Sequence, residues 1–274
     1  MTNDKLTWLL DEKQEESGAS DLKPAIESIG DHHITISRQE ARHGSPQQTI
    51  PLHLCPTLAY GSVEFNKAVR ADFYPGKWCD WTELRCDHHY ASIGKFLIND
   101  DYIFLPSGEV MRRLPDLLKE WEQVFLRPSR ADKPFSGFVA NADTGEDIKL
   151  RLRNMTPSDL VVLASAKAIE AEYRLVAVRA GKIVASSQYL QHGQFFSAPQ
   201  TPPEALAVAE TIVLALGKDF PDPMLVIDIG KCEGRYGLVE INGFSFANFY
   251  ACDLEAIVRV AHEQAMMEWQ EMKQ

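Results

Sequence analysis

An α+β fold opened by a small α/β unit is what the sequence predicts, and three patterns predict it. Over roughly the first 70 residues, extended apolar stretches alternate with helical ones, as in a small strand–helix–strand unit. Residues 169–178 and 182–189 then form a long extended pair around Ala180-Gly181, a workable hairpin break. Near the end, residues 224–229 and 236–241 read as two more strands, followed by an amphipathic helix over 253–269. The chain has 274 residues, enough to bury a sizeable core, and the pattern shift divides it into 1–85 and 86–274.

In chain order, residues 6–10 are a short apolar strand or helical turn, and 22–29 have helical spacing closed by Gly30. Residues 33–37 alternate as a strand, and 52–60 are extended up to Gly61-Ser62. Ser62 is placed to cap a helix over 63–69, with Glu64 in its first turn. Residues 72–87, rich in Trp and Cys and broken by Pro75-Gly76, read as a connection. Residues 88–97 look helical; 102–105, 123–129, 137–140 and 160–165 look like strands. Pro202-Pro203-Glu204 opens a helix to Leu216, with Gly217 past its end.

Composition excludes several classes. Of the residues 45% are hydrophobic and 24% charged, which is incompatible with intrinsic disorder or a collagen-like chain. No run of about 18 apolar residues spans a membrane. The start, Met1-Thr2-Asn3-Asp4-Lys5, has neither the basic nor the apolar part of a secretion signal. The 28 Lys and Arg against 39 Asp and Glu give a net charge of −11, which argues against nucleic acid as a partner. The five cysteines, Cys55, Cys79, Cys86, Cys232 and Cys252, show no paired spacing and suit a reducing cytoplasm.

Three stretches carry chemistry. In Val226-Ile227-Asp228-Ile229 and Val239-Glu240-Ile241-Asn242, strand alternation puts Glu240 and Asn242 on one face, and hairpin pairing adds Asp228. Two carboxylates inside apolar strands call for a cation, and such oxygen ligands suit Mg²⁺; a solvated face of an antiparallel sheet fits the same spacing. Residues 125–137 bring Arg127 on a strand and Arg130 and Lys133 on a loop, either a polyphosphate grip or an ordinary surface loop. Glu170, Glu172 and Arg174 share a strand face, either aiming a guanidinium at developing charge or forming a structural ion pair.

The ordered set "FLRPSRADKPFSG", "EYRLVAVRAGKIVASSQY", "PMLVIDIG" and "GLVEINGFSFANFY" resembles the ATP-grasp ligase superfamily, and within it the compact branch that uses arginines and a lysine on the nucleotide phosphates. The resemblance covers about residues 100–255, with the first part fitting the family's preceding α/β domain more loosely. It implies two α+β lobes gripping ATP between their sheets. It further implies Asp228, Glu240 and Asn242 as Mg²⁺ ligands and Arg127, Arg130 and Lys133 as phosphate contacts. Arg174 would lie near the transferred phosphoryl group, and the strand ending at Ala164-Ser165 would read adenine, with Glu172 also on the nucleotide side. The implied activity is ATP- and Mg²⁺-dependent ligation of a small-molecule or peptide carboxylate to an amine through an acylphosphate, with residues 131–137 as a water-excluding lid and 244–250 shaping the acceptor pocket. Many members of the family carry a lysine where Arg127 stands and a glycine-rich loop at 131–136. Two other readings remain open: a non-catalytic ATP-binding sensor or scaffold on the same fold, and a zinc-stabilised interaction protein around Cys79, Cys86, His88 and His89, whose spacing departs from paired zinc ligands.

Overall fold

The computed structural model describes residues 5–13, 19–43, 52–217 and 220–274; of the N-terminal stretch read for a secretion signal, Met1 to Asp4 lie outside the described residues. β1 (Thr7–Asp11), α1 (Ala19–Ser28), β2 (His32–Ile36), α2 (Arg38–His43), β3 (Pro56–Tyr60), α3 (Val63–Ala68) and β4 (Tyr74–Gly76) build a parallel sheet in the order β2-β1-β3-β4. β1 is central and buried on both sides, which is why Trp8-Leu9-Leu10 runs apolar without alternation. Ser62 caps α3 as its position suggests, its hydroxyl accepting from the Phe65 N–H at 3.2 Å. Two expectations need correction. Residues 52–60 are extended only from Pro56, because Leu52–Leu54 form a 3₁₀ turn. The expected connection holds β4, a short edge strand where Pro75 does no harm to a central ladder.

α4 (Cys86–Ile93), β5 (Ile103–Pro106), α5 (Ser107–Trp121), β6 (Val124–Pro128), β7 (Phe138–Ala140), α6 (Gly145–Leu152) and β8 (Leu160–Ser165) follow. Their strands form an antiparallel sheet ordered β5-β8-β6-β7. The sequence reading placed no helix at α5. Its buried stripe, Val110, Leu114 and Leu117, has helical spacing, but Pro115 inside it carries a breaking signal.

β9 (Ala171–Val178), β10 (Ile183–Gln191), β11 (Gln194–Ala198), α7 (Pro203–Leu216), β12 (Met224–Cys232), β13 (Arg235–Gly243) and α8 (Leu254–Met272) complete the fold. The five strands are antiparallel in the order β11-β10-β9-β12-β13. β12 and β13 turn through Glu233 and Gly234, both at positive φ, the two-residue geometry whose twist matches a hairpin.

Strand alternation divides this sheet's residues between two cores. Leu175, Ala177, Leu225, Ile227 and Ile229 pack in a core with Ala205, Ala209, Ile212 and Val213 of α7. Val176, Ala185, Met224 and Val226 pack with Ile257, Val258, Ala261 and Ala265 of α8, and that same core takes in Trp8, Leu10, Leu22, Ile26, Leu58 and Tyr60. The parallel sheet is therefore joined to the rest of the molecule by a shared apolar layer.

One polar clip sits at that junction. The buried Asp31 carboxylate accepts from the Leu6 N–H at 3.1 Å, from Trp8 Nε1 at 3.2 Å and from His262 Nδ1 of α8 at 2.9 Å. The hydrogen bond to Asp31 raises the His262 pKa above its ordinary value. A folded-state pKa above the unfolded one gives stability that is complete below about pH 6.5 and is lost as pH rises through the folded value. His262→Gln should thus cost about 1–2 kcal/mol at pH 5.5 and much less at pH 9, measured by denaturant unfolding of both proteins at the two pH values. An equal cost at both would remove the charged clip.

Candidate active site

The residues singled out on the last strands do come together. On β12, Val226 and Asp228 share the face opposite to Leu225 and Ile227, and cross-strand register sets Asp228 between Arg174 on β9 and Glu240 on β13. Asn242, two residues beyond Glu240, pairs with Val226 on the same face. Just past Asp228 the register slips: Ile229 pairs with Leu238, leaving Val239 as the extra residue of a bulge. A Cβ on Gly230 would lie 2.8 Å from a Val239 methyl, so only glycine fits opposite the bulge without a shift.

Arg174 and Asp228 form a buried, two-pronged pair: Nε donates to Oδ1 at 2.8 Å and Nη2 to Oδ2 at 2.7 Å, with the residues 7% and 1% exposed. The remaining Nη1 of Arg174 donates to the Asn248 carbonyl at 2.7 Å. Burial disfavours the Arg174 charge, but Asp228 outweighs it and the pKa is raised. Above this guanidinium stack Tyr189 and Tyr250, their rings parallel within 7° and 4.7 Å apart, with the guanidinium carbon 5.3 and 4.8 Å from their centres. The Tyr189 hydroxyl donates to Glu172, whose carboxyl burial pushes up and that hydrogen bond draws back down.

The other wall of the cleft comes from the four-stranded sheet. Arg127 on β6 donates from Nη2 to Glu240 Oε1 at 2.7 Å and from Nη1 to the Val239 carbonyl at 2.8 Å, a group that the bulge leaves available. Lys133 Nζ lies 2.9 Å from Glu240 Oε1 and donates to Asn242 Oδ1 at 2.9 Å, while Asn242 Nδ2 donates to Asp228 Oδ2 at 3.3 Å. Burial pushes the Glu240 carboxyl up, yet Lys133 and Arg127 together hold it down at about 2. A cavity of about 250 Å³ opens between the walls, lined by Phe125, Arg127, Lys133, Phe135, Gly137 and Glu240 among others.

Sequence reasoning therefore brings Arg127, Lys133, Arg174, Asp228, Glu240 and Asn242 into one network, but its electrostatic argument needs correction. Asp228 and Glu240 do not depend on a divalent ion for neutrality, because three cationic side chains already meet them. Arg130 is engaged elsewhere: it holds Asp132 through Nε at 2.9 Å and Nη2 at 2.6 Å, and Asp159 through Nη1 at 3.2 Å. Ala164 and Ser165 lie at the end of β8, beside Phe125 and Val124, and Ser165 Oγ accepts from Lys167 Nζ at 2.7 Å. The loop expected as a lid is pinned by Ala131 and Phe135, both buried. Cys79 and Cys86 are buried thiols, His89 is an interior histidine lowered to about 4 by burial, and among the described residues no three His, Cys, Asp or Glu side chains converge on a metal position. The zinc reading has no site. Tyr189, Asn248 and the Val239 carbonyl escaped the sequence reading; backbone acceptors leave no trace in residue identity.

The comparisons agree with this geometry. A family model described as an ATP-grasp domain, family 2 of its clade, matches residues 110–260, more than half of the chain. The chain belongs to the ATP-grasp superfamily. In sequence no curated protein matches it. In structure this ATP-grasp chain is similar to D-cycloserine synthetase DcsG, with a TM-score of 0.62 at 11% identity over 95% of this chain and 99% of that one. It is similar also to the ATP-grasp ligase PsnB complexed with a phosphomimetic variant of minimal precursor, Mg and ADP, with a TM-score of 0.62 at 10% identity over 96% and 99% of the two chains. D-alanine–D-alanine ligase from Bacillus anthracis gives 0.60 at 9% identity over 97% and 96%. These likenesses establish the ATP-grasp fold. The donor set fits the fold's usual ligands: Asp228, Glu240 and Asn242 offer hard oxygens suited to Mg²⁺, and the facing cations suit phosphates.

Because Asp228 is also the partner of a buried guanidinium, its loss is a structural event. Asp228→Ala should cost about 3–5 kcal/mol of stability by leaving Arg174 unpaired, and adding Arg174→Met should restore part of it; denaturant midpoints of the three proteins measure this. Full stability in the single variant would show that the pair is dispensable.

Proposed function

We propose that this ATP-grasp protein is an ATP- and Mg²⁺-dependent carboxylate–amine ligase. The observation that carries the reading is the convergence, across one cleft, of Arg127, Lys133 and Arg174 with Asp228, Glu240 and Asn242. Residues 1–85 serve as an N-terminal unit beside an ATP-grasp domain of 86–274. In that domain Arg127 and Lys133 hold the phosphates, with Arg174 close to the phosphoryl group in transit. The end of β8, at Ala164 and Ser165, meets the base, and Glu172 lies on the nucleotide side. Asp228, Glu240 and Asn242 would hold Mg²⁺, which supplies neutralisation of phosphate charge.

The chemistry then balances in two steps. A substrate carboxylate oxygen attacks the γ-phosphorus and the bond to the β-phosphate oxygen breaks, giving an acylphosphate and ADP. An amine next attacks the acyl carbon; phosphate leaves with the bonding pair and the ammonium proton is lost, giving an amide. The protein's part is to position the reactants and to preorganise cations where charge builds up on the transferred group. The phosphoryl acceptor is a small-molecule or peptide carboxylate. One structural neighbour carries a precursor peptide and another ligates D-alanine, so the fold accommodates both sizes. Five free, buried cysteines fit a cytoplasmic setting, and no described helix is long and apolar enough to cross a membrane.

A screen of amino acids and short peptides with ATP and Mg²⁺, read as ADP release, tests the ligase, and hydroxylamine tests the intermediate by trapping it as a hydroxamate. Both signals should need a carboxylate, and Glu240→Gln, which keeps an acceptor for Arg127 and Lys133, should lower turnover at least 100-fold. Nucleotide binding without ADP release for any carboxylate would instead favour the sensor or scaffold.

A further inference from the structure

Lys133 reaches the cleft from an unusual backbone. Its φ is +47°, a left-handed conformation that a non-glycine residue keeps only when its surroundings impose it. A turn closed by the Lys133 N–H donating to the Arg130 carbonyl at 3.3 Å leads into it. The residue between is Asp132, its side chain 11% exposed. Its carboxylate is gripped from two sides: Arg130 donates to both oxygens, and Lys67 Nζ of α3 donates to Oδ2 at 2.6 Å. Arg130 is in turn anchored on Asp159, which also accepts from the Thr156 N–H at 2.8 Å. Burial pushes the Asp132 carboxyl up, and these two cations hold it below the ordinary range.

Lys67 belongs to neither sheet of the cleft, and its helix touches both walls. Beside α3, the Gly61 N–H and Asn66 Nδ2 both donate to the Ser245 carbonyl at 2.9 Å, three residues past Asn242. Lys67 also lies 6.0 Å from the centre of the Trp81 ring, which stacks on Phe246. One short helix thus contacts the segment following the carboxylate wall and the turn that carries the phosphate-facing lysine.

We propose that Asp132 is a positioning residue of the nucleotide site: clamped between Arg130 and Lys67, it locks the turn that aims Lys133, and so couples the phosphate grip to helix α3. Arg130 then acts on the nucleotide through this clamp rather than by touching phosphate. The inference rests on the reading of Lys133 as a phosphate contact.

Calorimetric binding of the non-hydrolysable nucleotide AMPPNP with Mg²⁺ to the full chain tests it. Asp132→Asn should weaken affinity about tenfold and Lys67→Met, at a half-exposed position, about threefold. In a Lys133→Met background, Asp132→Asn should add less than twofold, because its effect runs through the lysine. An equal loss from Asp132→Asn with and without Lys133 would show a general structural role and overturn the proposal, as would wild-type affinity in both Asp132→Asn and Lys67→Met. If Asp132→Asn does not fold, Lys67→Met with and without Lys133 gives the same decision. Should the unmodified chain bind no nucleotide, the functional reading falls and this inference with it; binding that is indifferent to Asp132 removes the inference alone.

Discussion

The bidentate pair of Arg174 and Asp228 is the constraint around which the site is arranged. Both groups are almost sealed from water, so each is tolerable only because of the other. Their spacing follows from strand register, since residues directly opposite on neighbouring strands share a face. Once that pair occupies the middle of the five-stranded sheet, Glu240 on the next strand needs a positive partner of its own, and none remains within the sheet. The four-stranded sheet supplies two, Arg127 and Lys133. The two sheets are therefore joined across the cleft by charge, whereas the parallel sheet is joined through an apolar layer. Charged contacts across solvent-accessible space can be exchanged for ligand contacts. A dry apolar layer cannot.

Much of this was legible in the chain. The strands at 160–165, 171–178 and 224–232 announce themselves by β-branched and apolar runs, and the placement of Asp228, Glu240 and Asn242 on one face follows from a period of two. What stayed hidden depends on long-range partners. Arg127 and Arg130 stand three residues apart in one polar stretch, and their residue types do not distinguish them; only the fold sends one to Glu240 and the other to Asp132 and Asp159. Helix α5 was obscured by Pro115, a local signal outvoted by the burial of Val110, Leu114 and Leu117. Backbone acceptors such as Val239 and Asn248 exist only once a bulge or a turn has been made.

Inferring a metal from buried carboxylates has a weakness that this site exposes. The desolvation cost of two carboxylates is real, but it fixes only the sign of what must answer it. Here lysine and arginine answer it from strands and loops about 100 residues away, a distance at which sequence spacing is silent. The hard-oxygen character of Asp228, Glu240 and Asn242 remains the feature that suits magnesium, independent of whether their charge demands it.

Mutual neutralisation also dictates what kind of ligand can enter. A polyphosphate alone would draw Arg127 and Lys133 away from Glu240 and leave that carboxylate buried without a cation. A divalent ion alone would displace the same side chains from Glu240 and leave them facing each other across a cavity of about 250 Å³. Either exchange made singly carries the cost of an uncompensated buried charge, several kcal/mol for each ion. A metal–nucleotide complex makes both exchanges at once: its cation takes over the carboxylates as its phosphates take over the guanidinium and ammonium groups. A site built from opposite charges already paired is for that reason matched to a ligand that itself carries both signs, and poorly matched to either component.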